Sequence, residues 1–192
     1  MRRLRFLASV IILVSLSSCG LGEPRTEGSK RRSGGLEIAA PAGGFRAVAG
    51  QTVYVPVYSS IYTADNPDHF PLAVTLSIRN TDREKPVVVT SVRYYDHRGK
   101  LVREFLKRPL QITSMAAVEL FVSEGDTSGG VSASFLVEWL SEQAVSSPVV
   151  ESVMIGTGST QGISFTSSGR VLSDRSRAEP GTAQGPGTAS VR

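Results

Sequence analysis

Leu72-Ala73-Val74-Thr75-Leu76-Ser77-Ile78-Arg79 places a large apolar residue at every second position. Successive side chains of a strand point to opposite faces of a sheet, so a period of two marks a strand with one buried face. The rhythm recurs on both sides of this stretch. Upstream, Val53, Val55 and Val57 alternate with Thr52, Tyr54, Pro56 and Tyr58. Downstream, it is repeated by Val88, Thr90, Val92 and Tyr94, by Val118, Leu120 and Val122, and by Phe135, Val137 and Trp139. Val149, Glu151, Val153 and Ile155 continue it, and Leu101–Phe105 and Ile163–Thr166 add two shorter strands. Turn-forming clusters at Asn80–Pro86, Asp96–Lys100 and Gly125–Gly130 separate these runs. No segment repeats at 3.6 residues. Seven or eight short strands at near-regular spacing predict an all-β fold, an antiparallel immunoglobulin-like β-sandwich with flexible tails. Pro56 predicts an edge or a bulge in its strand, because proline cannot donate to a ladder. Trp139, between Val137 and Leu140, is read as core.

The flanks have a different character. Met1–Arg5 is a short basic segment and Phe6–Leu16 an apolar run. Eleven residues of helix rise only about 16 Å, against a hydrocarbon core of roughly 30 Å. The run therefore suits a signal peptide better than a membrane span. Leu16-Ser17-Ser18-Cys19 follows at once, and Cys19 is the only cysteine in the chain. This string resembles the lipobox of bacterial lipoproteins. The resemblance implies cleavage before Cys19, a diacylglyceryl thioether on its sulfur, and often an acyl group on the new amine. Two or three acyl chains anchor a protein stably where one does not. The sequence thus divides into a lipoprotein signal at 1–18, a tether at 19–45, a β-sandwich at 46–172 and a disordered tail at 173–192. Gly20 stands where the lipoprotein sorting rule places aspartate for inner-membrane retention. A cell-envelope location is implied, on the outer membrane facing the periplasm in a Gram-negative host.

The formal charge of +4 does not point to nucleic acid. Residues 46–172 hold 11 of the basic and 12 of the acidic residues, so the predicted domain is nearly neutral. A phosphate-backbone binder needs a basic footprint on the folded part. With Cys19 lipidated no thiol remains for a disulfide, and stability must come from the core.

Several strings, in order, resemble an uncharacterised bacterial lipoprotein family known as domain of unknown function thirty-one twenty-four. They are Tyr54-Val55-Pro56-Val57-Tyr58 with Ile61-Tyr62, Leu76–Asp82, Tyr94-Tyr95-Asp96 before Gly99–Val102, Phe135–Trp139, Val153–Thr157 and Gln161–Ser167. The resemblance implies a compact exported domain and assigns no activity.

Candidate chemistry is sparse. Asp65, Asp68 and His69 precede the Leu72 strand in a predicted loop, and with His97 they are weak candidates for a metal site. The spacing matches no ligand signature, and aspartates are ordinary turn residues. Gly156–Gly162 is glycine-rich, but a phosphate loop needs a helix N-terminus after it, and strand-like Ile163–Thr166 follows. Gly162-Ile163-Ser164 half-resembles a nucleophile elbow, again without a helix. No catalytic residue and no cofactor is expected, and the chain is not read as an enzyme. Tyr54, Tyr58 and Tyr95 are the candidate binding face, a stacking platform for an envelope protein or glycan. The alternatives are an envelope hydrolase or metal-binding protein using the loop His and Asp residues, and a structural or assembly factor.

Overall fold

Leu72, Val74 and Leu76 are fully buried, while Ala73 and Thr75 between them are partly exposed. In the computed structural model this alternation is repeated strand by strand, and it builds an antiparallel β-sandwich. The structure describes residues 35–37, 46–63, 66–158 and 162–175. The expected signal peptide, Cys19 with the lipobox-like string before it, and Asp65 lie outside the described residues, as do most of the predicted tether and tail.

The chain runs through β1 (Gly35–Glu37), β2 (Ala49–Val57), β3 (Ser60–Thr63), β4 (Asn66–Pro71) and β5 (Ala73–Arg79). It continues through β6 (Val87–Tyr95), β7 (Leu101–Glu104), β8 (Leu110–Ile112) and β9 (Ala117–Val122). A 3₁₀ turn, Gly130–Ser132, leads into β10 (Ala133–Ser141), then β11 (Val149–Gly156), β12 (Ile163–Ser168) and β13 (Arg170–Asp174). The larger sheet is ordered β1-β8-β6-β10-β2-β13, with β7 also on β6. The smaller is β12-β11-β5-β9, and β3 with β4 forms a separate two-stranded ribbon. The inward residues of the two sheets meet in one core. Val53, Val55, Val92, Tyr94, Phe135, Val137 and Trp139 come from the larger, and Val74, Leu76, Ile78, Leu120, Val150 and Met154 from the smaller. Burying a side chain of this size contributes about 1.5–3 kcal/mol, so the core is the main source of stability.

The eight strands expected from alternation are all present, as β2, β5, β6, β7, β9, β10, β11 and β12. Five more were not anticipated. β1 lies inside the predicted tether, pairing Gly35 with Ile112 and Glu37 with Leu110. β13 runs two residues past the expected boundary at 172, so Ser173 and Asp174 belong to the sandwich rather than the tail. Asp68 and His69, expected in a loop, lie on β4. Two details of phase also differ. β6 changes phase partway: Val87 and Val89 are fully buried, as are Val92 and Tyr94. The ladder to β10 shifts there, opposing Ser91 to Glu138 but Val89 to Trp139, and a bulge takes up the extra residue. Pro56 lies within β2, which is flanked by β10 and β13. Its carbonyl accepts a hydrogen bond from the Ser152 hydroxyl, 3.4 Å away, and β13 pairs only as far as Tyr54. The missing N–H of the proline therefore faces a stretch where no strand needs it.

The chain crosses between the sheets at Gly169. Its amide donates to the Val150 carbonyl at 2.8 Å. A Cβ there would lie 2.6 Å from Val53 Cγ1 and 2.9 Å from that carbonyl. Only glycine lets β13 leave β12 and lie against β2 so closely.

Candidate functional site

Register decides what shares the outer face of the larger sheet. Gly50, Thr52 and Tyr54 of β2 stand opposite Leu140, Glu138 and Leu136 of β10. Across β10 the next neighbours are Ser91, Arg93 and Tyr95 of β6. A groove of about 510 Å³ opens on this face, where β13 ends against β2. Its walls are Thr52, Thr90, Glu138 and Leu140 on one side and Ser173–Arg175 on the other, with Gly50 on the floor. A Cβ at Gly50 would come within 2.6 Å of Leu140 Cδ2 and 2.8 Å of the Trp139 carbonyl, so the floor is kept bare by close packing. Arg93 donates to the Glu138 carboxylate, and Thr90 Oγ1 donates to the Glu138 carbonyl at 3.2 Å. The groove is lined by the polar residues Thr52, Thr90, Glu138, Ser173, Asp174 and Arg175 together with the apolar Leu140 and Trp139. Tyr54, 37% exposed, flanks it two residues along the same face from Thr52.

A second cavity, of about 280 Å³, lies beside the first and shares Gln51 and Trp139 with it. Val48, Ala49, Ala144, Val145 and Ser147 complete its lining. The 142–148 segment forms one wall and is clipped in place by polar contacts. Lys85 Nζ donates to the Ala144 carbonyl, Thr81 Oγ1 to the Ser147 carbonyl, and the Ser146 amide to Asp82, each at 3.0 Å. Asp82 also accepts from the amides of Glu84 and Lys85, and these backbone bonds hold its carboxyl below the usual carboxylate range. Gln51 Nε2 donates to Ser147 Oγ at 3.1 Å and to Asp174 Oδ2 at 2.9 Å, joining this wall to β13. Trp139 is 2% exposed, and its indole Nε1–H has no acceptor within hydrogen-bond distance. A buried donor left unmade costs about 1–3 kcal/mol.

The three candidate tyrosines do not form one platform. Tyr54 and Tyr95 share the outer face, two strands apart, separated by β10. Tyr58 turns to the edge of the smaller sheet, where its ring meets Phe165 edge-on at 5.8 Å. The histidines are engaged separately. The His69 ring lies 4.9 Å from that of Tyr62, and its Nδ1 is 3.3 Å from Ser60 Oγ. Ser60 is 2% exposed, so this serine–histidine contact orients a ring and presents no nucleophile to solvent. His97 packs over Gly130, where a Cβ would come 2.8 Å from its Nδ1. Of Asp68 only the backbone is described. Among the described residues, no three His, Cys, Asp or Glu side chains gather as a metal set. β11 and β12 pair from Glu151 with Ser168 to Gly156 with Ile163, so the glycine-rich Gly156–Gly162 segment joins two antiparallel neighbours.

Sequence reasoning missed the groove residues Gly50, Thr52, Glu138 and Asp174. The first three stand at outward positions of strands that alternation located correctly. Their convergence required the β2–β10 register and the existence of β13.

A family model described as "Protein of unknown function (DUF3124)" matches residues 50–172. A solved structure, "Crystal Structure of Thermotoga maritima 1070", is similar at 14% identity, covering 62% of this chain and 92% of its own, with a TM-score of 0.39. No curated protein matches the chain.

Proposed function

We propose that this chain, which belongs to the DUF3124 family of proteins of unknown function, is a lipid-anchored binding module of the cell envelope, without catalysis of its own, and that its ligand is a glycan. The anchor reading rests on Leu16-Ser17-Ser18-Cys19 after a short apolar run. The binding reading rests on one observation above the others, the 510 Å³ groove on the outer face of the larger sheet. Its size falls within the roughly 300–1,000 Å³ of ordinary ligand sites. Its polar lining of Thr52, Thr90, Ser173, the ion-paired Glu138, Asp174 and Arg175, beside the apolar Leu140, suits a ligand rich in hydroxyls, which both donates and accepts. Tyr54, exposed two residues beyond Thr52 on the same face, supplies an apolar face with a polar tip, the combination that packs against a sugar ring.

The test is binding of the purified protein to short neutral oligosaccharides by calorimetry. Tyr54→Ala and Glu138→Gln are each predicted to weaken binding about tenfold or more, since hydrogen bonds to charged groups are worth about 1.5–3 kcal/mol. Binding untouched by both substitutions, or no binding to any sugar, would remove the glycan reading.

A further inference from the structure

Met115, in the turn between β8 and β9, combines two features that the turn itself does not require. It is 68% exposed, the highest value of any large apolar side chain among the described residues. It is also the one non-glycine residue among them with a positive φ, 58°. Glycine or asparagine would occupy that region at little cost, and methionine does not. A strained backbone of this kind persists where something else compensates for it. The topology says where the residue stands. β1 pairs antiparallel with β8, with Gly35 opposite Ile112, so the chain ahead of Gly35 enters the sandwich three residues from Met115. The Met115 amide donates to the Asp82 carbonyl at 3.1 Å, which brings the β5–β6 turn and its exposed Arg83 to the same end. Val48, 48% exposed ahead of β2, stands at this end too, since its amide donates to the carbonyl of Ser141 at the close of β10. β6 runs away from it, from Val87 opposite Ile112 to Tyr95 opposite Leu101. The Asp96–Lys100 turn therefore marks the far end.

We infer that the Met115 end of the sandwich rests on the lipid bilayer, with the methionine side chain entering the headgroup boundary. The inference rests on the lipid anchor proposed at Cys19. Residues 20–34 then join the bilayer to Gly35, and the sandwich meets them at the Met115 end. Turning the far end to the surface would draw the chain back along the length of β6. At about 3.3 Å per residue its 9 residues take roughly 30 Å, out of a full reach of about 50 Å. The Met115 end reaches the surface without that detour. Methionine is flexible and apolar, so it fits an irregular boundary. Its removal from water there offsets the strain at its φ.

The lipidated protein, purified from its membrane, is reconstituted into vesicles of phosphatidylethanolamine and phosphatidylglycerol that carry a headgroup spin label. Cys19 is the only cysteine of the chain. With its sulfur acylated, an introduced cysteine is the sole thiol that takes a fluorophore. Met115→Cys and Arg83→Cys mark the near end, and Arg98→Cys marks the exposed turn at the far end. An interfacial side chain sits about 5–10 Å into the headgroup boundary, so the labels at 115 and 83 are predicted to lose at least about half of their fluorescence to the spin label, and the label at 98 almost none. Arg83→Cys reads the same end even where the Met115 variant folds poorly. Adding Met115→Asn to it places a residue suited to positive φ, and is predicted to preserve the melting temperature while reducing the quenching. Unchanged quenching would overturn the role of Met115. Flotation of the vesicles reads the anchor separately. Protein that floats with the label at 115 unquenched, as a second copy covering the turn would leave it, overturns the contact and leaves the anchor standing. Quenching at 98 as strong as at 115 does the same. Protein that does not float overturns both readings.

Discussion

At the scale of single residues, Asn80 is a buried polar side chain, 2% exposed just past the end of β5, with both ends of its amide hydrogen-bonded. The two hydrogens of its Nδ2 are shared among the carbonyls of Lys85, Ile112 and Thr113 at 2.8, 3.2 and 3.0 Å, and its Oδ1 accepts from the Asp82 amide at 3.0 Å. One side chain thereby ties the β5–β6 turn to β8. Asn80→Ala leaves buried carbonyls unpaired and is predicted to cost about 1–3 kcal/mol. Asn80→Asp sets a carboxylate against three carbonyl oxygens and is predicted to cost more, read by urea denaturation of both variants. The turn aspartates give a pH dependence. Backbone amides hold Asp82 and Asp96 below the usual carboxylate range. Burial pulls Asp126 upward, but bonds from Ser128 and the Arg103 charge outweigh it, and its carboxyl is also lowered. A carboxyl lowered in the folded state stabilises at pH above its unfolded value, and that stability is lost as pH falls through the folded one. The melting temperature is therefore predicted to hold near neutrality and to drop below about pH 4, and Asp82→Asn should flatten that acid limb. At the opposite end, burial raises the Tyr94 hydroxyl. Its contribution is complete below about pH 10 and lost above it, which the same series of melts would show.

At the scale of elements, alternation located the strands that are long enough to show it. β2, β6 and β10 each span 9 residues, enough for a period of two to repeat. β1, β8 and β13 have 3, 3 and 5 residues and too few positions to carry a rhythm. β4 reads Asn-Pro-Asp-His-Phe-Pro, a turn-like composition, and is a strand only through its pairing with β3. The β6 bulge hides in a run of three valines, where either phase looks apolar. The groove was illegible for a different reason. It needs Asp174 brought to Gln51 across 123 positions, and no local pattern encodes that contact. The crossing at Gly169 gives the element-scale prediction. Gly169→Ala would set a methyl against Val53 and the Val150 carbonyl. Overpacking of this kind typically costs about 1–3 kcal/mol, and the denaturation midpoint should fall accordingly.

At the scale of the whole molecule, one core joins two sheets. With the lipid proposed at Cys19, the pairing of β1 on β8 would leave residues 20–34 between anchor and sandwich. Fifteen residues reach at most about 50 Å even when fully extended. The proposed picture is thus a sandwich held close to a membrane, displaying the outer face of its larger sheet. The charge distribution agrees with a role other than nucleic-acid binding, because the basic excess sits in the flanks and not in residues 46–172. All of this depends on the lipid. The most direct measurement is mass spectrometry of the N-terminal peptide of the protein isolated from its native membrane. The account predicts a peptide that begins at Cys19 and carries a diacylglyceryl group on sulfur. A free thiol at Cys19, or an intact leader ahead of it, would contradict the account.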